Sequence, residues 1–182
     1  AARERLGLSS DTFVGAVVAK DLSDPNKNLG QALRAFEEAS QRINRRFALL
    51  LIGKTGSSYS SDHIDIVWLG EMNVKEIART LIATDILISG SIAESAGMTI
   101  VESAALGVPS IALSNGGPSS LIEHEKTGML CRDFRAVTSC ITELAGDSKR
   151  LSALGRSAKK NAGSHRPEVI ARTYLELYSS IS

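Results

Sequence analysis

Residues 85–102 read Asp85-Ile86-Leu87-Ile88-Ser89-Gly90-Ser91-Ile92-Ala93-Glu94-Ser95-Ala96-Gly97-Met98-Thr99-Ile100-Val101-Glu102. A short apolar run stops at a glycine, passes through a polar turn and enters a helix-forming segment, so the stretch reads as strand, turn and helix. The run Asp85–Ser89 is continuous rather than alternating, as expected of a strand covered on both faces. The same pattern recurs on either side. Phe13–Ala19 and Phe47–Ile52 are valine- and leucine-rich strands, the second ending at Gly53; Ile64–Leu69 and Val108–Leu113 are two more. Between them, Asp21–Asn28 is a polar loop holding Pro25, and Leu29, Ala32, Leu33, Phe36, Ala39 and Ile43 recur at helical spacing from about Asn28 to Arg45. Asn73, with Glu76 three residues on, caps a helix whose apolar face carries Ile77, Leu81 and Ile82. Further helices are expected near 98–106, 133–145, 148–162 and 167–179, and a short strand at 129–131. Residues 1–11 read as a charged helix end and a turn, and residues 54–63, rich in Ser and Gly, as a loop. Repeated strand–helix alternation predicts an α/β, doubly wound parallel sheet covered by helices on both faces. Its ligand crevice lies beyond the carboxyl ends of the strands, at the loops after residues 19, 53, 69, 89 and 113.

The chain has 182 residues, enough for one domain, with 43% apolar and 23% charged residues. Lys and Arg total 21 against 20 Asp and Glu, and a net charge of +1 gives no reason to expect nucleic acid or a membrane surface as partner. The basic cluster Arg42, Arg45 and Arg46 is read as favouring the negative end of a helix dipole. Cys131 and Cys140 form no metal-ligand pattern with His63, His124 and His165, and low cysteine usage fits a reducing, cytoplasmic setting. No run has the length of a transmembrane segment and no apolar leader is seen. The abrupt start reads as a fragment of something larger.

Gly97 permits a sharp turn, and the free amides of the following helix turn, around Met98 and Thr99, suit a diphosphate. Glu94 lies before that helix and Glu102 within it. Two carboxylates beside a phosphate site make sense if the ligand also carries sugar hydroxyls, which ionised carboxylates accept. Thr99 and Glu102 also have the spacing of a capping box, with Glu94 a surface charge. On the residues alone both readings stand.

From Phe13 to about Tyr178 the chain resembles the carboxy-terminal, donor-binding domain of a retaining GT-B glycosyltransferase of family 4. That family's signature is a pair of glutamates separated by seven residues, here Glu94-Ser-Ala-Gly-Met-Thr-Ile-Val-Glu102. Ser103-Ala-Ala-Leu-Gly107-Val-Pro109, Asn115-Gly116-Gly117-Pro118-Ser119-Ser120-Leu121-Ile122-Glu123 and Thr127-Gly128-Met129-Leu130 resemble its following blocks. The resemblance implies a Rossmann-like sheet, Glu94 on the transferred sugar, the amides of Gly97, Met98 and Thr99 on the diphosphate, and Glu102 on the ribose. It implies that Lys27 meets the leaving phosphate, where charge builds as the glycosidic bond breaks. The family's arginine after the first strand is absent, leaving Lys20 as its substitute without the two-pronged grip. Gly53 would let the chain pass close to the nucleotide, with Lys54 at its rim. Leu69, in Trp68-Leu69-Gly70-Glu71-Met72, would shape the base pocket, Trp68 being core, and Gly116 and Gly117 would close over the sugar or phosphates.

Other motifs fail. Gly53-Lys54-Thr55-Gly56 lacks the upstream glycine of a phosphate loop, no Gly-x-Gly-x-x-Gly follows a strand, and His124-Glu125 is not completed to a zinc signature, leaving His63 and His124 as ordinary loop histidines. The resemblance implies a nucleoside diphosphate sugar as the ligand, with no cofactor and no obligatory metal. The expected reaction is retaining transfer of a hexosyl group to an acceptor hydroxyl. The acceptor would be held by a missing N-terminal domain or subunit, through which the enzyme would sit at the inner membrane, and the isolated chain would be inactive. Three alternatives compete: a GT-B-like nucleotide-sugar epimerase, a non-catalytic nucleotide-sugar-binding subunit, and an interaction module that has lost donor binding.

Overall fold

The computed structural model describes residues 2–54, 59–94 and 97–163. Among these residues six parallel strands form one sheet: β1 (Phe13–Asp21), β2 (Phe47–Lys54), β3 (Asp65–Gly70), β4 (Ile86–Ser89), β5 (Ser110–Leu113) and β6 (Gly128–Cys131). Their order is β3-β2-β1-β4-β5-β6. The chain therefore builds outward from β1 in one direction, then reverses to place β4 on the other side of β1. The switch point lies between β1 and β4, where crossover loops leave in opposite directions and open a crevice.

Seven helices accompany the sheet: α1 (Ala2–Arg5), α2 (Leu29–Ser40), α3 (Val74–Leu81), α4 (Met98–Ala105), α5 (Pro118–Leu121), α6 (Phe134–Gly146) and α7 (Ser148–Ala162) among the described residues. Alternate residues of each strand face opposite sides. Phe13, Val17, Leu49, Leu51, Ile88 and Ile111 pack with α2 and α6 on one face. Val14, Ala16, Leu50, Leu87 and Ala112 pack with α3 and α4 on the other. Strands buried on both faces need no polar side, which is why they read as unbroken apolar runs.

Phe13, Phe36 and Phe47 form an aromatic cluster with centroid separations of 5.2–6.2 Å at the amino ends of β1 and β2. Gly15 makes room for it, because a Cβ there would stand 2.7 Å from the Phe36 ring. Trp68 packs at the rim of the same core and stacks on Tyr59, as expected of a core residue.

Several boundaries differ from the sequence reading. Helix α2 stops at Ser40, not Arg45, and no basic residue lies in its last turn. Arg45 instead donates to the carbonyls of Asp11 and Ala145 and lies over the Phe13 ring, while Arg46 pairs with Asp65. Tertiary partners, not the helix dipole, account for those two arginines. β5 begins at Ser110 rather than Val108, since Pro109 has no amide to donate to a ladder. β1 and β2 run on to Asp21 and Lys54, which stay paired beyond an irregularity after Val18. Cys131 and Cys140 are free thiols, 3.6 Å apart between β6 and α6. The helix expected at 167–179, together with Thr55, Gly56, Ser95 and Ala96, lies outside the described residues.

Candidate functional site

At the switch point the ends of β1 and β4 diverge over two adjoining cavities. One, of about 190 Å³, is lined by Val17–Lys20, Lys27, Ile88–Ser91, Glu94, Met98 and Thr99. The other, of about 330 Å³, is lined by Val18–Lys20, Ile52, Glu71, Met72, Ile77, Thr99 and Glu102. Val18, Ala19, Lys20 and Thr99 border both, so the two form one cleft. Read along it, Glu94 and Lys27 stand at one end, Lys20 and Thr99 in the middle, and Glu102 at the other. Residues separated by up to 85 positions in the sequence, Val17 and Glu102, share this wall because β1 and β4 are neighbours.

Gly97 is the residue on which α4 starts. Its φ of +56° and ψ of +33° are left-handed, a conformation glycine adopts without strain. A Cβ there would also stand 2.6 Å from Leu121 Cδ1 on α5. No side chain caps α4, so the amides of its first turn, at Met98 and Thr99, have no acceptor within the helix. With Gly97 as cap, Thr99 is the second residue of the helix. The capping box between Thr99 and Glu102 therefore does not form, and that alternative is excluded by the frame in which the helix begins.

Glu94 is gripped from several sides. Lys27 Nζ donates to Oε2 at 3.1 Å, Ser91 Oγ to the same oxygen at 3.2 Å, and Gly97 N to Oε1 at 3.3 Å. Burial pushes its carboxyl pKa up, but the Lys27 ammonium and the Gly97 and Ser91 hydrogen bonds outweigh burial and hold it below the ordinary carboxylate value. Glu102 behaves oppositely: burial raises its pKa and no neighbouring charge offsets this.

Lys27 closes a 3₁₀ turn, Pro25–Lys27, capped by Asp24. Asn28 then takes a left-handed conformation, φ +55°, and opens α2. Gly117 N donates to the Glu94 carbonyl at 2.7 Å, and Gly116, with φ +66°, crosses the same carbonyl so closely that a Cβ would stand 3.0 Å from it. The double-glycine turn thus packs on the backbone of Glu94.

Gly53 and Leu69 stand apart from the cleft wall. A Cβ on Gly53 would stand 1.9 Å from the Ala19 carbonyl oxygen, and its φ is +139°. The close approach that requires glycine there is by β1. Leu69 packs in the second core cluster, while its neighbours Glu71 and Met72 reach the cavity of Glu102. Lys54 is exposed. His124 accepts a hydrogen bond from Leu130 N, an ordinary loop role. Among the described residues no group of three His, Cys, Asp or Glu side chains is placed to hold a metal ion. Nor is any helix among them long and apolar enough to cross a membrane. The sequence reading overlooked Asn26, which bonds to the Glu94 loop; its only local signal was its place beside Lys27 in a proline turn.

Residues 16–161 match the family described as glycosyl transferases group 1. D-inositol 3-phosphate glycosyltransferase of Thermobispora bispora is 27% identical over 197 residues, covering 98% of this chain and 46% of the relative. Sucrose-phosphate synthase of Thermosynechococcus elongatus superposes with a TM-score of 0.81 at 23% identity, over 99% of this chain and 48% of that one. The Anabaena protein HepE in complex with UDP superposes with a TM-score of 0.78 at 22% identity, over 98% and 51%. The chain thus spans about half the length of the relatives it matches.

Proposed function

The chain belongs to the group 1 glycosyl transferases, and from that premise we propose that it is the half that binds the sugar donor. The donor is a nucleoside diphosphate sugar, and the complete enzyme transfers a hexosyl group to an acceptor hydroxyl with retention of configuration. The observation that carries this reading is the order of groups along the cleft: carboxylate and ammonium, then free helix amides, then a second carboxylate. It matches, in sequence, the hydroxyls of a sugar, a diphosphate and a ribose. HepE, of the same fold, is known with UDP bound.

In this reading Glu94 accepts hydrogen bonds from the sugar hydroxyls and Glu102 from the ribose diol. The free amides of Met98 and Thr99 face the diphosphate, while the Gly97 amide is taken by Glu94. Lys27 stabilises the charge that develops on the leaving phosphate oxygen as the glycosidic bond breaks. An ammonium has three protons, so Lys27 can keep Glu94 in place and still meet a phosphate. Lys20, exposed at the middle of the cleft, adds charge there. Gly116 and Gly117 support Glu94 from behind. The acceptor attacks from the face the leaving group vacates, and its proton passes to the departing phosphate oxygen. The charge is met by lysines and helix amides, with no metal in the scheme.

Because the chain spans about half of its relatives, the acceptor is assigned to a second domain or subunit. The isolated chain binds donor without transferring it. The test is calorimetry of the full chain with UDP, GDP and ADP and their hexose conjugates. One nucleotide series binds, and Glu102→Ala and Lys27→Ala each weaken it about tenfold, as expected for loss of one charge-assisted hydrogen bond. No binding at millimolar concentration, or no effect of either substitution, would refute the donor-site assignment.

A further inference from the structure

Asn26 meets the backbone of Ala93 with both polar atoms of its side chain. Nδ2 donates to Ala93 O at 2.8 Å and Oδ1 accepts from Ala93 N at 2.9 Å. Its own carbonyl accepts from Ile92 N at 2.9 Å. These three bonds clip the loop after β1 to the loop after β4. They do so one residue before Lys27 on one strand of the clip and one residue before Glu94 on the other. The loops lie so close that a Cβ on Gly90 would stand 2.9 Å from the Lys27 carbonyl.

The adjacent ion pair of Lys27 and Glu94, 3.1 Å apart, does not fix this register by itself. Its side chains are 26% and 21% exposed, and such a pair contributes modestly. A bound diphosphate also shares the same ammonium. The Asn26–Ala93 clip uses no group that the ligand needs, so it persists when Lys27 also meets phosphate. Asparagine suits the place because its short amide presents one donor and one acceptor to a single backbone residue, as a neighbouring strand would.

We infer that Asn26 is a positioning residue for the donor sugar: it holds the backbone of Glu94 in register with Lys27 and thereby sets affinity for the sugar, not for the nucleotide. The inference rests on the donor-site reading above. Removing the side chain leaves Asn26 N bonded to Asp24 Oδ1 and Lys27 N bonded to Asp24 O. Lys27 therefore stays anchored while Ala93, next to Glu94, loses both of its bonds to the β1 loop and the Ile92 N to Asn26 O bond alone of the three remains.

The test compares each nucleotide with its sugar conjugate, UDP with UDP-glucose, GDP with GDP-mannose and ADP with ADP-glucose, by calorimetry on the full chain. For the pair that binds, Asn26→Ala keeps the nucleotide Kd within about twofold and weakens the sugar conjugate about tenfold. Asn26→Asp is isosteric, and at neutral pH its second oxygen faces the Ala93 carbonyl, so the sugar-selective loss persists. Towards about pH 4, where a carboxyl protonates and becomes a donor, the Asp variant recovers relative to wild type at the same pH and the Ala variant does not. Circular dichroism melts report folding, and the Asp variant alone carries the test if the Ala variant unfolds. Equal losses for nucleotide and conjugate, or none for either, overturn the inference and leave the donor site standing. A wild-type chain that binds no member of the panel removes the donor site, and the inference with it.

Discussion

Glu94 and Glu102 lie eight positions apart in one motif, yet their carboxyls are shifted in opposite directions. Glu94 has Lys27, Ser91 and Gly97 as donors, whereas Glu102 is half-buried with nothing to offset desolvation. The second case has a consequence for stability. A carboxyl whose folded pKa is raised favours the protonated folded state, so its ionisation weighs against folding. The penalty is absent below the ordinary value of 4.5 and grows as pH rises through and beyond it. Glu102→Gln is therefore expected to raise Tm at pH 7, with the gain shrinking towards zero below about pH 4. The same substitution weakens nucleotide binding if the carboxylate holds the ribose. Melts across pH, run beside calorimetry, check both signs; a Tm gain that stays constant with pH would sink the ionisation argument. The spacing of the two glutamates was legible in the sequence. Their opposite titration was not, because the Lys27 ammonium comes from 67 residues away.

Helix α3 shows what local sequence can determine about an element. Asn73 accepts from Lys75 N and Glu76 N, while Glu76 Oε2 accepts from Asn73 N, a complete capping box. All its partners lie within three residues, so the spacing alone revealed it. Asn73→Ala is expected to cost about 1 kcal/mol in urea unfolding. Because α3 carries Ile77 and follows Met72, both in the wall near Glu102, nucleotide affinity is expected to fall modestly as well. Thr99 and Glu102 have the same spacing at α4 but form no box. There the left-handed Gly97 shifts the helix frame, and a backbone angle is not written in side-chain spacing. Helix α2 is shorter than its apolar pattern for a related reason: Ile43 continues the pattern and touches the core, although the backbone has already left the helix at Ser40.

The whole molecule divides its work between the two ends of the sheet. The Phe13, Phe36 and Phe47 cluster sits where β1 and β2 begin, while the cleft opens where β1 and β4 end. Phe36→Ala is expected to cost about 3–5 kcal/mol by emptying a packed core position. Donor affinity of the folded fraction should remain at the wild-type value. Urea unfolding gives the first quantity, and calorimetry below the transition gives the second. A large loss of affinity in the folded variant would show the two ends to be coupled. The sequence by itself determined the alternation of strands and helices, the burial of strands on both faces and the Glu94–Glu102 motif, since apolar periodicity and glycine turns are local properties. Only the tertiary structure decided which strands are neighbours. That adjacency brings residues 17–27 against residues 88–99, pairs Lys27 with Glu94 and sets Asn26 on Ala93, because contact across a parallel sheet depends on strand order rather than on distance along the chain.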